Sequence, residues 1–471
     1  MAVTQSTRLS FFSVFSQIKK AIKGDQQDYT SGSIRKAVIM LAIPMILETA
    51  MESVFAVVDI FFIGKLGNQA ISAVGLTESV LSMVYAVGVG LSIGATALVA
   101  RRIGEKNPEE ASRTGMQAIL FSFFIAVAIS VAGFIFSKNI LQLMGASQEI
   151  ISVGLPYTRL TFASGIFIVF LFLINGIFRG AGDAALAMRS LWIGNICNII
   201  LCPLLIYGIG SWNGLGIAGA ALATTIGRGT GVCYQLVHLL KGKGIIKFKR
   251  EYFSPDKAIL GSFFAISRTA TLQFLIASAS WTVLAKIISG FGSVAVAGYT
   301  IAIRIFVFFI LPAWGLSNAA ATLVGQNLGA QQPQRAEQAV WRAAKYNLIF
   351  MFGVSLLFFL GADALTGFMT NDPEVQKLAS QALKIFGFGA MFYGCGMVVI
   401  SSFNGAGDTK TPTWINLFFF WALQIPLAYA LAVWLRMGSK GVFLAVIITE
   451  MLSTLTAILI FRRGKWKLHK V

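Results

Sequence analysis

The chain has 471 residues, of which 56% are hydrophobic and only 12% charged, and its mean hydropathy is +0.76. A soluble domain carries about a quarter charged residues, so this composition excludes an ordinary soluble enzyme and a disordered chain. The 38 Lys+Arg against 19 Asp+Glu give a net charge of +19, which must be placed along the chain before a polyanionic partner is inferred from it.

Residues 1–36 precede the first long apolar run. Phe11, Phe15, Ile18 and Ile22 recur at helical spacing beside Lys19, Lys20 and Lys23, the pattern of an amphipathic helix on a bilayer surface or of a solvated tail. No small-residue cleavage site follows, so a signal peptide is not expected. Apolar runs then cover residues 37–63, 69–98, 115–136, 150–177, 190–209, 216–240, 258–288, 294–324, 343–362, 384–403, 412–434 and 441–461. A helix needs about 20 apolar residues to cross the hydrocarbon core. The runs are solidly apolar and do not alternate with polar residues, which excludes barrel strands. The expected fold is an all-α membrane protein with twelve transmembrane helices. Its parts are an N-lobe over 37–240, a basic linker over 241–257, a C-lobe over 258–461 and a basic tail over 462–471.

Sorted along these spans, most of the basic residues fall on one side. The other side holds only Lys65, Lys138, Lys377, Lys384, Arg436 and Lys440. This bias places both termini in the cytoplasm of a multi-pass inner-membrane protein. The charge is therefore an orientation signal, and no nucleic-acid partner is expected. Cys197, Cys202, Cys233 and Cys395 lie within apolar spans, and His238 and His469 stand apart. No disulfide framework, metal-ligand cluster or nucleophilic triad is spaced out here, so neither a cofactor nor an enzymatic activity is expected.

A shift of 225 residues aligns the chain with itself. Gly67-Asn-Gln-Ala70 falls on Gly292-Ser-Val-Ala295, Gly90-Leu-Ser92 on Gly315-Leu-Ser317, and Phe178-Arg-Gly-Ala-Gly-Asp183 on Phe403-Asn-Gly-Ala-Gly-Asp408. Each half holds six spans, an even number, so both halves enter the membrane with the same orientation as a parallel repeat. The Gly-Ala-Gly-Asp turns read as structural: glycine permits positive φ and the aspartate caps the next helix.

Ionisable groups inside hydrocarbon are costly and mark functional positions. In the first span Glu52 lies about 40° and Asp59 about 20° around the helix from Glu48, so the three carboxylates share a stripe. In the fifth span Asn195, Asn198 and Cys202 are spaced i, i+3, i+7, and in the sixth Thr224 and Arg228 lie one turn apart. Carboxylate, amide and hydroxyl oxygens are what a hard cation or a titrating proton requires. The repeat is an internal control: Glu48, Glu52, Asp59 and Glu78 fall on Gln273, Ala277, Leu284 and Ile303. Acids needed only for lobe architecture should recur in both lobes, so the asymmetry favours a cation site in the N-lobe. Glu52–Arg228 and Glu78–Arg304 are candidate ion pairs, and Glu48 is a further candidate for the cavity lining.

The stretch Val58-Asp-Ile-Phe-Phe-Ile-Gly-Lys-Leu-Gly67, the segment Val324-Gly-Gln-Asn-Leu-Gly-Ala330, the Phe-x-Gly-Ala-Gly-Asp turns and Gly219-Ala-Ala-Leu-Ala-Thr224 resemble the multidrug and toxic compound extrusion (MATE) family over nearly every span. The resemblance implies a secondary antiporter that exports small organic, often cationic or amphipathic, compounds in exchange for H⁺ or Na⁺; a monomer in the bilayer is the separate expectation. It also implies an N-lobe cation site at Asp59, Asn198 and Thr224, where Na⁺ would be held. Cys202 departs from the family's oxygen ligand at its position, and Asn195 and Glu52 are the candidates to compensate. The alternative is a lipid-linked precursor flippase of the wider superfamily, which calls for an arginine-lined cavity.

Overall fold

The computed structural model describes residues 11–25, 27–242 and 244–470, with the side chains of residues 11–15 and 68 outside the description. Helices form wherever the apolar runs predicted them, and local chemistry sets their ends. Asn107 accepts from Glu110 N–H and Pro108 opens the helix Pro108–Ile135; Asp256 caps the helix Lys257–Ser289 through Ala258 and Ile259; Asp372 caps the helix Pro373–Gly405 through Glu374 and Val375. Each cap satisfies amide groups that have no partner in the first helical turn.

The N-lobe comprises α2 (Ile34–Gly64), α3 (Asn68–Gly104), α4 (Pro108–Ile135), the short α5 (Ser137–Leu143), α6 (Gln148–Ala163), α7 (Gly165–Ala181), α8 (Ala184–Tyr207) and α9 (Ile217–Lys241). The C-lobe comprises α10 (Lys257–Ser289), α11 (Ser293–Gly329), α12 (Pro333–Gly367), α13 (Pro373–Gly405), α14 (Lys410–Asn416), α15 (Ile425–Tyr429) and α16 (Ser439–Arg462). Ten of these helical runs are long and apolar enough to cross a membrane, α6 with α7 counting as one and Lys410–Trp434 as one. The polar-bearing α2 and α9 complete the twelve spans. The span expected over 150–177 breaks at Ser164, whose hydroxyl turns back to the Thr161 carbonyl. The span expected over 412–434 holds two π-helical stretches, Leu417–Gln424 and Ala430–Trp434, on either side of Pro426. Proline removes one ladder donor, and a wider turn accommodates the loss.

The lobes interlock through their first helix pairs: α2 packs on α11, and α10 packs on α3. Gly90 meets the Thr271 backbone, and its repeat equivalent Gly315 meets Met45 and Ile46. Gly104 meets the Gln326 carbonyl and its equivalent Gly329 meets that of Arg101. A Cβ would fit at none of these four positions, which is how two backbones approach this closely.

The segment before α2 is helical over Phe11–Lys23 (α1), as one of its two sequence readings expected. It docks on the protein: Ala21 is buried, and Arg189 of α8 donates to the Ile22 and Lys23 carbonyls. The Phe11 and Phe15 side chains lie outside the described residues. Beyond α1 the chain crosses from lobe to lobe. Tyr29 donates to the Gly182 carbonyl, Lys106 pairs with Asp28 at 2.8 Å, and Arg335 of α12 donates to the Ser31 and Gly32 carbonyls. Burial opposes the Asp28 charge, but Lys106 and Thr30 outweigh it and hold this carboxyl well below the usual range. The basic linker is tied to α4, where Gln117 donates to the Tyr252 and Ser254 carbonyls and Lys249 pairs with Glu109.

Candidate functional site

Three helices of the N-lobe assemble the predicted residues. α8 and α9 touch at backbone distance, since Gly194 and Gly227 each face the other's carbonyl with no space for a Cβ. That approach sets Asn198 Nδ2 3.0 Å from Thr224 Oγ1, with Asn198 donating. One turn along α8, the Cys202 thiol lies 3.6 Å from Asp59 Oδ1 of α2. Asp59, Asn198 and Cys202 are all buried. Asn198 Oδ1 is buried without a hydrogen-bond partner. A buried carbonyl oxygen without a donor is costly in a protein interior, and here it stands on the helix turn next to the Asp59–Cys202 contact. Asn195 donates to Glu52 Oε2 at 3.2 Å.

The carboxylate stripe of α2 is divided among separate partners. Eleven residues of helix separate Glu48 from Asp59 by about 16 Å, so a shared face does not make a shared site. Glu48 accepts from Asn175 Nδ2 at 2.9 Å and from Arg179 at 3.2 Å. Arg179 also donates to Ser92, while Ser190 and Gln235 donate to Asn175 Oδ1. Arg179, Asn175 and Gln235 were not foreseen. Arg179 lies in the Phe178–Asp183 motif, which the sequence reading assigned to a turn, whereas α7 extends to Ala181 and carries the guanidinium inward. The repeat held the signal, because Arg179 falls on Asn404 and both line one cavity.

Two proposed pairs do not form. Arg228 donates to the Tyr85 hydroxyl at 2.5 Å and lies over the Phe55 and Tyr85 rings, so it is not Glu52's partner. Tyr85 on α3 is closer to the guanidinium than any carboxylate of α2. Glu78 and Arg304 are both exposed, and among the described ion pairs neither appears.

A cavity of about 360 Å³ lies between the lobes. The N-lobe contributes Glu48, Glu52, Ser92, Phe172 and Arg179; the C-lobe contributes Phe274, Trp314, Tyr393, Asn404, Phe420 and Glu450. Asp59, Asn198 and Thr224 are not in its lining. The molecule therefore separates a small oxygen-bearing site inside the N-lobe from a larger amphipathic space between lobes. Trp314 lines this space, whereas Trp414 and Trp421 are exposed.

The chain matches the MatE family over residues 44–204 and again over 270–430, once in each lobe. It is 25% identical to the probable multidrug resistance protein YoeA of Bacillus subtilis, over 88% of this chain and 91% of that one. It is 27% identical to an FAD transporter of Shewanella oneidensis, over 91% and 94%. Among solved structures, a MATE transporter in complex with MaL6 superposes with a TM-score of 0.88 at 26% identity, covering 95% of this chain and 99% of that one. A MOP superfamily transporter from Pyrococcus furiosus, described as having a binding pocket of reversed polarity, superposes at 0.89 with 25% identity over 95% and 100%. The doubled match, together with a twelve-span fold of two repeated lobes around a central cavity, shows that this chain is a member of the MatE family.

Proposed function

We propose that this protein is a secondary antiporter that exports small organic, cationic or amphipathic compounds in exchange for an inward-moving ion, with Asp59 as the coupling carboxylate. The observation that carries this reading is the unpartnered Asn198 Oδ1, buried on the turn beside the Asp59–Cys202 contact and outside the substrate-sized cavity. Asp59, Asn198 and Thr224 supply three side-chain oxygens for the ion. Hard cations prefer an all-oxygen shell, and Cys202 supplies sulfur where an oxygen would complete it. The thiol–carboxyl contact suits a proton better, so H⁺ is the favoured coupling ion and Na⁺ the second reading. Loading Asp59 removes a buried charge from the N-lobe and changes the relative stability of its packings against the C-lobe. Release of the ion on the other side reverses that preference.

The basic side of the molecule carries both termini and faces the cytoplasm of a bacterial inner membrane under the positive-inside rule. An anionic lipid-linked substrate fits less well. Among the described residues the cavity lining holds Glu48, Glu52 and Glu450 against Arg179, which already faces Glu48. Proteoliposomes with an imposed pH gradient or Na⁺ gradient test the reading. Asp59→Asn is expected to abolish ion-driven uptake of an organic cation, and undiminished uptake would sink the assignment. A wild type driven by Na⁺ alone would replace H⁺ with the second reading.

A further inference from the structure

The cavity's two walls differ in chemistry. On the N-lobe wall the acids are engaged, Glu48 by Arg179 and Asn175 and Glu52 by Asn195. On the C-lobe wall Glu450 stands half-buried in the middle of α16, and among the described residues its carboxylate has neither an ion pair nor a hydrogen bond. A carboxylate at membrane depth without a partner is costly and marks a position that receives one. Its surroundings suit an organic cation. Phe274 and Trp314 sit with ring centroids 5.8 Å apart, and Tyr393 and Phe420 line the same wall. Aromatic faces attract cations, most strongly where water is excluded. Gly396 of α13 opens the approach: a Cβ there would come 3.6 Å from Glu450 Oε1 and would collide with Thr454. The repeat places Thr225 at the corresponding N-lobe position, so this position is acidic in the C-lobe only.

We propose that Glu450 anchors the cationic centre of the transported compound on the C-lobe wall, apart from the coupling carboxylate Asp59 in the N-lobe. The inference rests on the reading that the protein exports organic cations. It adds that ion and substrate use different acids in different lobes, so they communicate through the packing of the lobes and do not compete for one carboxylate.

The test is equilibrium binding of radiolabelled tetraphenylphosphonium, a permanent aromatic cation, to the purified full-length protein. Triphenylphosphine oxide serves as a neutral aromatic probe of similar shape. Glu450→Gln is expected to weaken tetraphenylphosphonium binding about tenfold, the scale of one desolvated charge contact, and to leave the neutral probe within about twofold. Glu450→Asp is expected to retain most of the cation affinity. Unchanged cation binding in Glu450→Gln, or equal losses for both probes, overturns the anchor and leaves the antiporter reading standing. A wild type that binds and moves no organic cation overturns both. Loss confined to the cation, with rescue by Glu450→Asp, supports the proposal even if the overall yield of the variants falls.

Discussion

Replacing Arg179 by Gln tests whether the Glu48 network is held together by charge. Glu48 is only 3% exposed, and its Oε2 already lacks a partner. Arg179→Gln removes the guanidinium 3.2 Å from Oε1 and leaves a buried carboxylate with Asn175 as its remaining donor. Breaking a buried pair from one side costs about 3–5 kcal/mol, because the remaining charge is left uncompensated. For a unit of lobe size, 1 kcal/mol moves a melting midpoint by about 2–4 °C, so the lower bound corresponds to about 6–12 °C. The partner variant Glu48→Gln is milder, because a neutral amide oxygen still accepts from Asn175. The double variant Glu48→Gln/Arg179→Gln is expected to recover most of the loss, since no buried charge remains. Thermal unfolding of the three variants in one detergent, followed by labelling of the buried Cys202 with a fluorogenic maleimide after Cys197, Cys233 and Cys395 are replaced by Ala, measures the cycle. A double variant as unstable as Arg179→Gln alone would refute the reasoning, because the guanidinium would then be needed for its shape and its bond to Ser92.

Four further outcomes follow from other contacts. Cys202→Ser restores an oxygen beside Asp59 and is expected to raise the Na⁺ dependence of export; transport identical to wild type at every Na⁺ concentration would count against the ligand argument. Gly104→Leu has no space against the Gln326 carbonyl and should wedge the lobes apart, increasing thiol labelling of an introduced cysteine at the cavity-lining Ser92, whereas unchanged labelling would show that the interface is loose. Arg335→Ala deletes the donor to the Ser31 and Gly32 carbonyls and should speed hydrogen exchange over residues 27–33. In the unaltered protein, protection of residues 27–33 should persist from neutral pH down through the ordinary carboxylate range. The depressed Asp28 pKa means its contribution is present above the unfolded value and is lost only as pH falls through the lower folded one. Loosening already at pH 5 would show that the Lys106 pairing is unimportant.

Much of the architecture was legible from the chain because hydrocarbon imposes a strong rule. Backbone polar groups have no water to turn to, so a long apolar run becomes a helix of known length. The basic residues and the 225-residue repeat then imply a sidedness and two parallel lobes. The Gly-Ala-Gly-Asp turns were readable for a local reason: Gly182 and Gly407 have φ of 88° and 87°, and Asp183 and Asp408 accept from amides three residues on. The association of Asn198 with Thr224 and of Asp59 with position 202 also came from the sequence, through helical periodicity and family resemblance.

What the chain alone did not determine is which polar groups meet across helices. Periodicity gives the angle of a side chain around its own axis, but a pair also requires depth, crossing angle and interhelical distance. Arg228 shows the consequence, since its face and depth suited Glu52 while the position of α3 delivered Tyr85. Arg179 shows it again, because a one-turn extension of α7 turns a loop residue into the counter-ion of Glu48. The division of the acids follows the same cause. Glu48, Glu52 and Asp59 share one stripe in sequence, but helix packing assigns the first two to the cavity wall and the third to a buried contact with Cys202, and places Glu450 of the opposite lobe across the cavity from the first two.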